Sequence, residues 1–143
     1  MQKLDKKFDQ FLINSKIPIR IATVKSNNVP VVISLWYVWI DEKIYCATKK
    51  TAKIVSYLQG SPMCGFEIAG DNLPYKGVRG EGYTKILQDK GAEILDILIN
   101  KYLGAKESTL SKILRNNSAT EVAIEITPEK IFSYDYTDRM KDV

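Results

Sequence analysis

The stretch from Val29 to Leu58 constrains this chain most. Pro30-Val31-Val32-Ile33-Ser34-Leu35-Trp36-Tyr37-Val38-Trp39-Ile40 reads as one strand that is apolar on both faces. Ile33, Leu35, Tyr37 and Trp39 share one face, and Val32, Trp36, Val38 and Ile40 the other. Such a strand must be covered on both sides. A barrel interior can cover one side; the second needs a ligand, a helix or another subunit. The turn Asp41-Glu42-Lys43 and the strand Ile44-Tyr45-Cys46-Ala47-Thr48 follow. Lys49-Lys50-Thr51-Ala52-Lys53 then opens a helix carrying Ile54, Tyr57 and Leu58, with Thr51 placed to cap it. Lysines, hydroxyls and free backbone N–H groups at a helix start make an anion site. A ligand with a flat ring at one end and a phosphate at the other suits this run.

The remaining segments supply strands and a few helices. Leu4, Phe8, Phe11 and Leu12 fall at helical spacing and predict an amphipathic helix over about residues 3–14. Ile17 to Val24 alternates as a strand, and Ser26-Asn27-Asn28 is a turn. Gly60-Ser61-Pro62 stops the helix that follows Lys53. Met63 to Ile68 is a strand, and Gly70-Asp71-Asn72 a turn. Gly77 to Ile86 is a strand with glycines at alternate positions, which permit sharp coiling or close approach of a ligand. It is no dinucleotide fingerprint, because a strand rather than a helix carries it. Asp89 is placed to cap a helix ending at Gly104, and Ser108 a shorter one. Val122, Ile124 and Ile126 face one way in a last strand that Phe132, Tyr134 and Tyr136 extend as an aromatic face. The whole predicts one α+β domain over residues 1–143, a mostly antiparallel closed or split β-barrel with peripheral helices.

Composition removes several chemistries. The chain has no histidine, which excludes Ser-His-Asp, Cys-His and zinc–histidine sites. An enzyme built this way would take its hard chemistry from a cofactor. Cys46 and Cys64 are not spaced as a redox or metal motif and read as buried free thiols. The formal charge of +4 is too small for a dedicated nucleic-acid binder. A barrel using Trp36, Tyr37, Tyr45 and lysines on single-stranded nucleic acid is therefore disfavoured. No apolar run spans a membrane, and the charged Met1 to Lys7 segment lacks a signal-peptide core, so a cytoplasmic protein is expected.

Motif order adds a resemblance. Ile21-Ala22-Thr23-Val24, Val29-Pro30, the strand through Trp36, Tyr45-Cys46-Ala47-Thr48, Thr51-Ala52-Lys53, Leu58, Ser61-Pro62 and Gly77-Val78-Arg79-Gly80-Glu81-Gly82 occur in a familiar sequence. With Ile126-Thr127-Pro128-Glu129-Lys130, they resemble the FMN-binding split barrel of the pyridoxamine 5'-phosphate oxidase-like proteins. The resemblance implies a homodimeric flavoprotein oxidoreductase acting on a small molecule, with FMN in a groove between subunits. It implies that the backbone of Ile33, Ser34, Leu35 and Trp36 lies along the flavin ring. Ala47, Thr48, Lys50, Thr51 and Lys53 would hold the remainder and the phosphate, and Arg79 matches the arginine of a Gln-Val-Arg-x-x-Gly pattern. Three departures stand out: Ile33 replaces a phosphate-binding arginine, the loop between Thr48 and Thr51 is one residue short, and the arginine-containing C-terminal motif is missing. These argue against a vitamin B6 substrate. Two alternatives keep the same barrel: a deazaflavin-dependent reductase, with Lys49 and Lys50 near a longer anionic tail, and a non-enzymatic carrier of flavin or another flat ligand.

Overall fold

The computed structural model describes residues 6–141. Its elements run α1 (Lys6–Asn14), β1 (Ile19–Val24), β2 (Pro30–Leu35), β3 (Val38–Ile40), β4 (Lys43–Lys49), α2 (Lys53–Gly60), β5 (Met63–Ala69), β6 (Lys76–Leu87), α3 (Gly91–Leu103), α4 (Thr109–Asn116) and β7 (Glu121–Asp135). The seven strands form one antiparallel sheet in the order β2-β1-β5-β6-β7-β4-β3. Its two edge strands, β2 and β3, are consecutive in the chain. The sheet therefore curls until its edges meet through a backbone connection, not through hydrogen bonds. This is a split barrel, open along one seam.

That seam corrects the single strand expected over Pro30 to Ile40. Regular pairing stops at Leu35 and resumes at Val38, leaving Trp36 and Tyr37 between strands. The reason is tertiary. The Tyr37 N–H donates to Tyr102 Oη at 3.1 Å, Lys101 Nζ donates to the Tyr37 carbonyl at 2.9 Å, and Tyr102 Oη donates to the Ile17 carbonyl at 3.0 Å. The end of α3 thus takes over the backbone groups that a ladder would have used. The two-sided apolar pattern was legible, and its covers now have names. Ile33 and Leu35 pack against the main core, whereas Trp36 and Val38 pack against a second cluster under α3 with Ile94, Leu98 and Ala123. Val32 remains 67% exposed.

Inside the barrel, Ile19, Ile21, Ile44, Ile68, Val78, Ile124 and Ile126 are buried, as the strand alternation requires. Fully burying each such side chain contributes about 1.5–3 kcal/mol. Helix α1 closes one end: the Tyr37 hydroxyl donates to the Leu12 carbonyl at 2.7 Å, and Trp39 Nε1 to Asp9 Oδ1 at 2.7 Å. Leu4 lies outside the described residues. The β3–β4 hairpin turns at Asp41 and Glu42, both with positive φ (52° and 61°), the twist that a two-residue hairpin needs. The alternate glycines of β6 serve strand crowding: a Cβ on Gly80 would fall 2.2 Å from the Lys130 carbonyl oxygen.

Helix starts were less legible. Ala52, not Thr51, is the N-cap of α2, and it provides no side-chain bond. Lys90, not Asp89, occupies that place on α3, again without a side-chain bond. Ser108 caps α4 as expected, in a reciprocal box with Ser111. Gly104 ends α3 with φ of 80°.

The Tyr102→Phe variant should lose about 1–3 kcal/mol of stability, because it leaves the Tyr37 N–H and the Ile17 carbonyl without their partner. The urea unfolding midpoint reads this. An unchanged midpoint would mean that Tyr102 does not hold the strand break.

Candidate functional site

The β4–α2 loop is built as the sequence suggested, except at its cap. Lys50 N–H donates to the Thr120 carbonyl at 2.9 Å and Lys49 Nζ to Thr120 Oγ1 at 3.0 Å, so the loop is pinned to the chain entering β7. Lys50, Thr51 and Lys53 remain exposed, and neither lysine makes an ion pair among the described residues. Because α2 starts without a side-chain cap, its first N–H groups have not been claimed by a hydroxyl. Donors of this kind, two ammonium groups, one hydroxyl and a helix start, fit a phosphate.

The other half of the expected site lies along β2. This strand pairs only with β1, so its far edge leaves backbone N–H and C=O groups free. It also comes alongside β4 across the seam without pairing to it. Strand β2, with Ile33 to Leu35, and strand β4, with Ala47 to Lys49, are therefore neighbours across this seam. Side chains contribute little to it. Ile33 and Leu35 turn inward, Ser34 points outward, and Ala47 packs beneath α3. The Trp36 ring is already stacked on Tyr102, with centroids 4.9 Å apart and planes 7° from parallel. Thr48 is half-buried and pairs with Val122.

Arg79 stands apart. Register places it on the outer face of β6, opposite Glu67, with β1 and β5 between it and β2. Three inter-strand steps separate it from Ser34, about 14 Å. It pairs with neither Glu67 nor Glu81. Its guanidinium lies 5.6 Å from the Tyr134 ring centre, while Glu67 accepts from the Tyr134 hydroxyl at 2.9 Å and Glu81 pairs with Lys130 at 3.4 Å.

Two groups escaped the sequence reading. Lys101 Nζ sits 3.7 Å from the Tyr37 ring centre, and burial lowers its pKa to about 8. Nothing in the sequence showed that Lys101 would fold back over Tyr37. Glu121, paired in register with Lys49, has a buried carboxylate oxygen with no hydrogen-bond partner among the described residues. Burial raises its pKa, and Lys49 partly offsets this. Both cysteines are free and buried, as expected. Burial pushes the Cys46 thiol up strongly and the Cys64 thiol up to about 11, so neither is a nucleophile at neutral pH. Among the described residues no cluster of three or more His, Cys, Asp or Glu could hold a metal, and no helix is long and apolar enough to cross a membrane.

No protein-family profile matches this chain, and no curated protein sequence does. Solved structures do. A conserved hypothetical protein from Mycobacterium tuberculosis superimposes with a TM-score of 0.78 at 20% identity, over 94% of this chain and 86% of that one. An F420 reductase gives 0.72 at 18% identity, over 86% and 94%. A putative pyridoxamine 5'-phosphate oxidase from Listeria innocua gives 0.70 at 17% identity, over 92% and 98%. At these identities the likeness establishes the fold, the split barrel on which flavin-binding proteins are built.

The thiols give a direct check of the packing described here. Ellman's reagent at pH 8 should leave the native protein unlabelled over minutes and titrate two thiols per chain in denaturant. Rapid labelling of the native protein would contradict the burial of Cys46 and Cys64.

Proposed function

We propose that this protein binds FMN in the seam between β2 and β4 and is an oxidoreductase of a small molecule. One observation carries the proposal: β2 presents a strand edge with free backbone groups beside β4, and the loop that leaves β4 reaches the uncapped start of α2, where Lys50, Thr51 and Lys53 offer unspent donors. The ring would lie along the backbone of Ile33, Ser34, Leu35 and Trp36, with Ala47 and Thr48 beside it. Lys50, Thr51 and Lys53 would hold the phosphate through charge-assisted bonds. The flavin, when bound, supplies the hydride or electron transfer. The chain's part is to orient and to shield: Tyr102 fixes Trp36 by stacking, which sets the course of the β2 edge. Arg79 is too distant to join this set within one subunit.

The homodimer belongs to the same proposal. On the two-sided strand Val32 is 67% exposed, and an exposed apolar face favours two-fold pairing. A second cofactor reading, the deazaflavin coenzyme, draws on the fold shared with the F420 reductase and on Lys50 as a free cation at the seam. The absorbance spectrum of the loaded protein distinguishes the two.

Titration of FMN by flavin fluorescence tests the site. Lys53→Ala should weaken binding by roughly 10–100-fold, the worth of one charge-assisted hydrogen bond. Equal affinities would remove Lys53 from the site, and no binding by the wild type would refute FMN. Sedimentation equilibrium at micromolar concentration reads the assembly, for which a dimer is expected. A stable 16.2 kDa species with and without FMN would refute the dimer.

A further inference from the structure

The end of α3 places one amine in an unusual setting. A lysine ordinarily lays its stem along the protein and keeps its ammonium in water. Lys101 turns its head inward instead. Its Nζ donates to the Tyr37 carbonyl at 2.9 Å, and it lies 3.7 Å from the Tyr37 ring centre and 5.2 Å from that of Tyr102. The residue is half-buried.

No carboxylate answers this charge. Lys101 makes no ion pair among the described residues. On its own helix the positions one turn away are Ile97, Leu98, Gly104 and Ala105, none of them acidic. The titratable groups that face it are Tyr37, Tyr102 and Cys46, and all three stay neutral near neutral pH. Burial pushes the Tyr37 hydroxyl and the Cys46 thiol up strongly, and the Tyr102 hydroxyl up to about 12. Two ring faces and one carbonyl dipole do not replace the hydration that the ammonium gives up. Burial therefore lowers the Lys101 pKa to about 8, and Cys46 offsets this only in part.

An amine that is partly free of its proton is a nucleophile. The hydrogen bond to Tyr37 selects the electrophile. A neutral imine, formed with an aldehyde, would leave the nitrogen without an N–H to donate. An amide keeps one N–H and removes the unpaired charge. We propose that Lys101 is an acylation site that takes the acyl group of a small activated donor such as an acyl phosphate, the new amide N–H still donating to the Tyr37 carbonyl. The Nζ lone pair attacks the acyl carbon, the C–O bond to phosphate breaks, phosphate leaves, and the nitrogen releases one proton. The step needs no oxidant or reductant. It is independent of the flavin proposal, because Lys101 is not among the residues assigned to the ring or the phosphate.

Acetyl phosphate on the folded, flavin-free chain tests this, with acetylation followed site by site by peptide mass spectrometry. At pH 7.5 about a quarter of Lys101 is free base, against about one part in a thousand of an ordinary lysine. Its lower basicity takes back about tenfold of that advantage, by the linear relation known for thiols. Lys101 should therefore react on the order of tenfold faster than the exposed Lys85 and Lys106. Its rate should level off above about pH 9 while theirs keep rising. Lys101→Arg, which keeps the charge and cannot be acylated, should lose the fast site and no other. The singly acetylated protein should have a urea midpoint at least as high as that of the unmodified chain. A Lys101 rate at or below that of Lys85 overturns the proposal, as does a rate that climbs in parallel with the others above about pH 9. A lower urea midpoint after acetylation also overturns it, because the bond to Tyr37 would then have been lost.

Discussion

The interruption at Trp36 and Tyr37 is the constraint on which the rest of this fold depends. Without it, Pro30 to Ile40 would be one long strand in one place in the sheet. With it, the first half pairs with β1 and the second with β4, at opposite ends of the strand order. The interruption persists because both backbone groups of Tyr37 have partners supplied from elsewhere. Tyr102 and Lys101 come from α3, and Leu12 at the end of α1 receives the Tyr37 hydroxyl. Two sequence-distant segments, α1 and α3, therefore meet at one dipeptide. Lys101 is drawn into a half-buried place against two aromatic rings, and its lowered pKa is the electrostatic cost of that position.

This also explains how far the fold could be read from residues alone. Strand alternation is a local signal, and Ile19, Ile21, Ile124 and Ile126 sit inside where their spacing put them. The apolar character of both faces of the 30–40 run was equally plain. What could not be read was the break within it, because no proline or glycine marks it; the cause lies more than sixty residues away in Tyr102. Helix caps failed for a related reason. Thr51 and Asp89 are chemically suited to capping, but α2 and α3 each begin a residue later, after Ala52 and Lys90, whereas Ser108 does cap α4.

The candidate site divides along the same line. Lys50, Thr51 and Lys53 are brought to one loop because they are contiguous, and contiguity is what a sequence shows best. Ile33 to Trp36 lie far from them in the chain, and the strand order brings only β2, as an edge strand, near β4. Arg79 was grouped with them by motif alone, and register separates it by two intervening strands. Arg20 carried no motif, yet it lies in the same row as Arg79 once β1, β5 and β6 are aligned. Charge adjacency across a sheet is invisible until the register is known.

The seam has a mechanical consequence. Elsewhere in the sheet, moving two neighbouring strands apart means breaking a ladder of hydrogen bonds. Between β2 and β4 there is no ladder to break, so along this line the two strands are held by side-chain packing and by the pinned Trp36–Tyr37 connection instead.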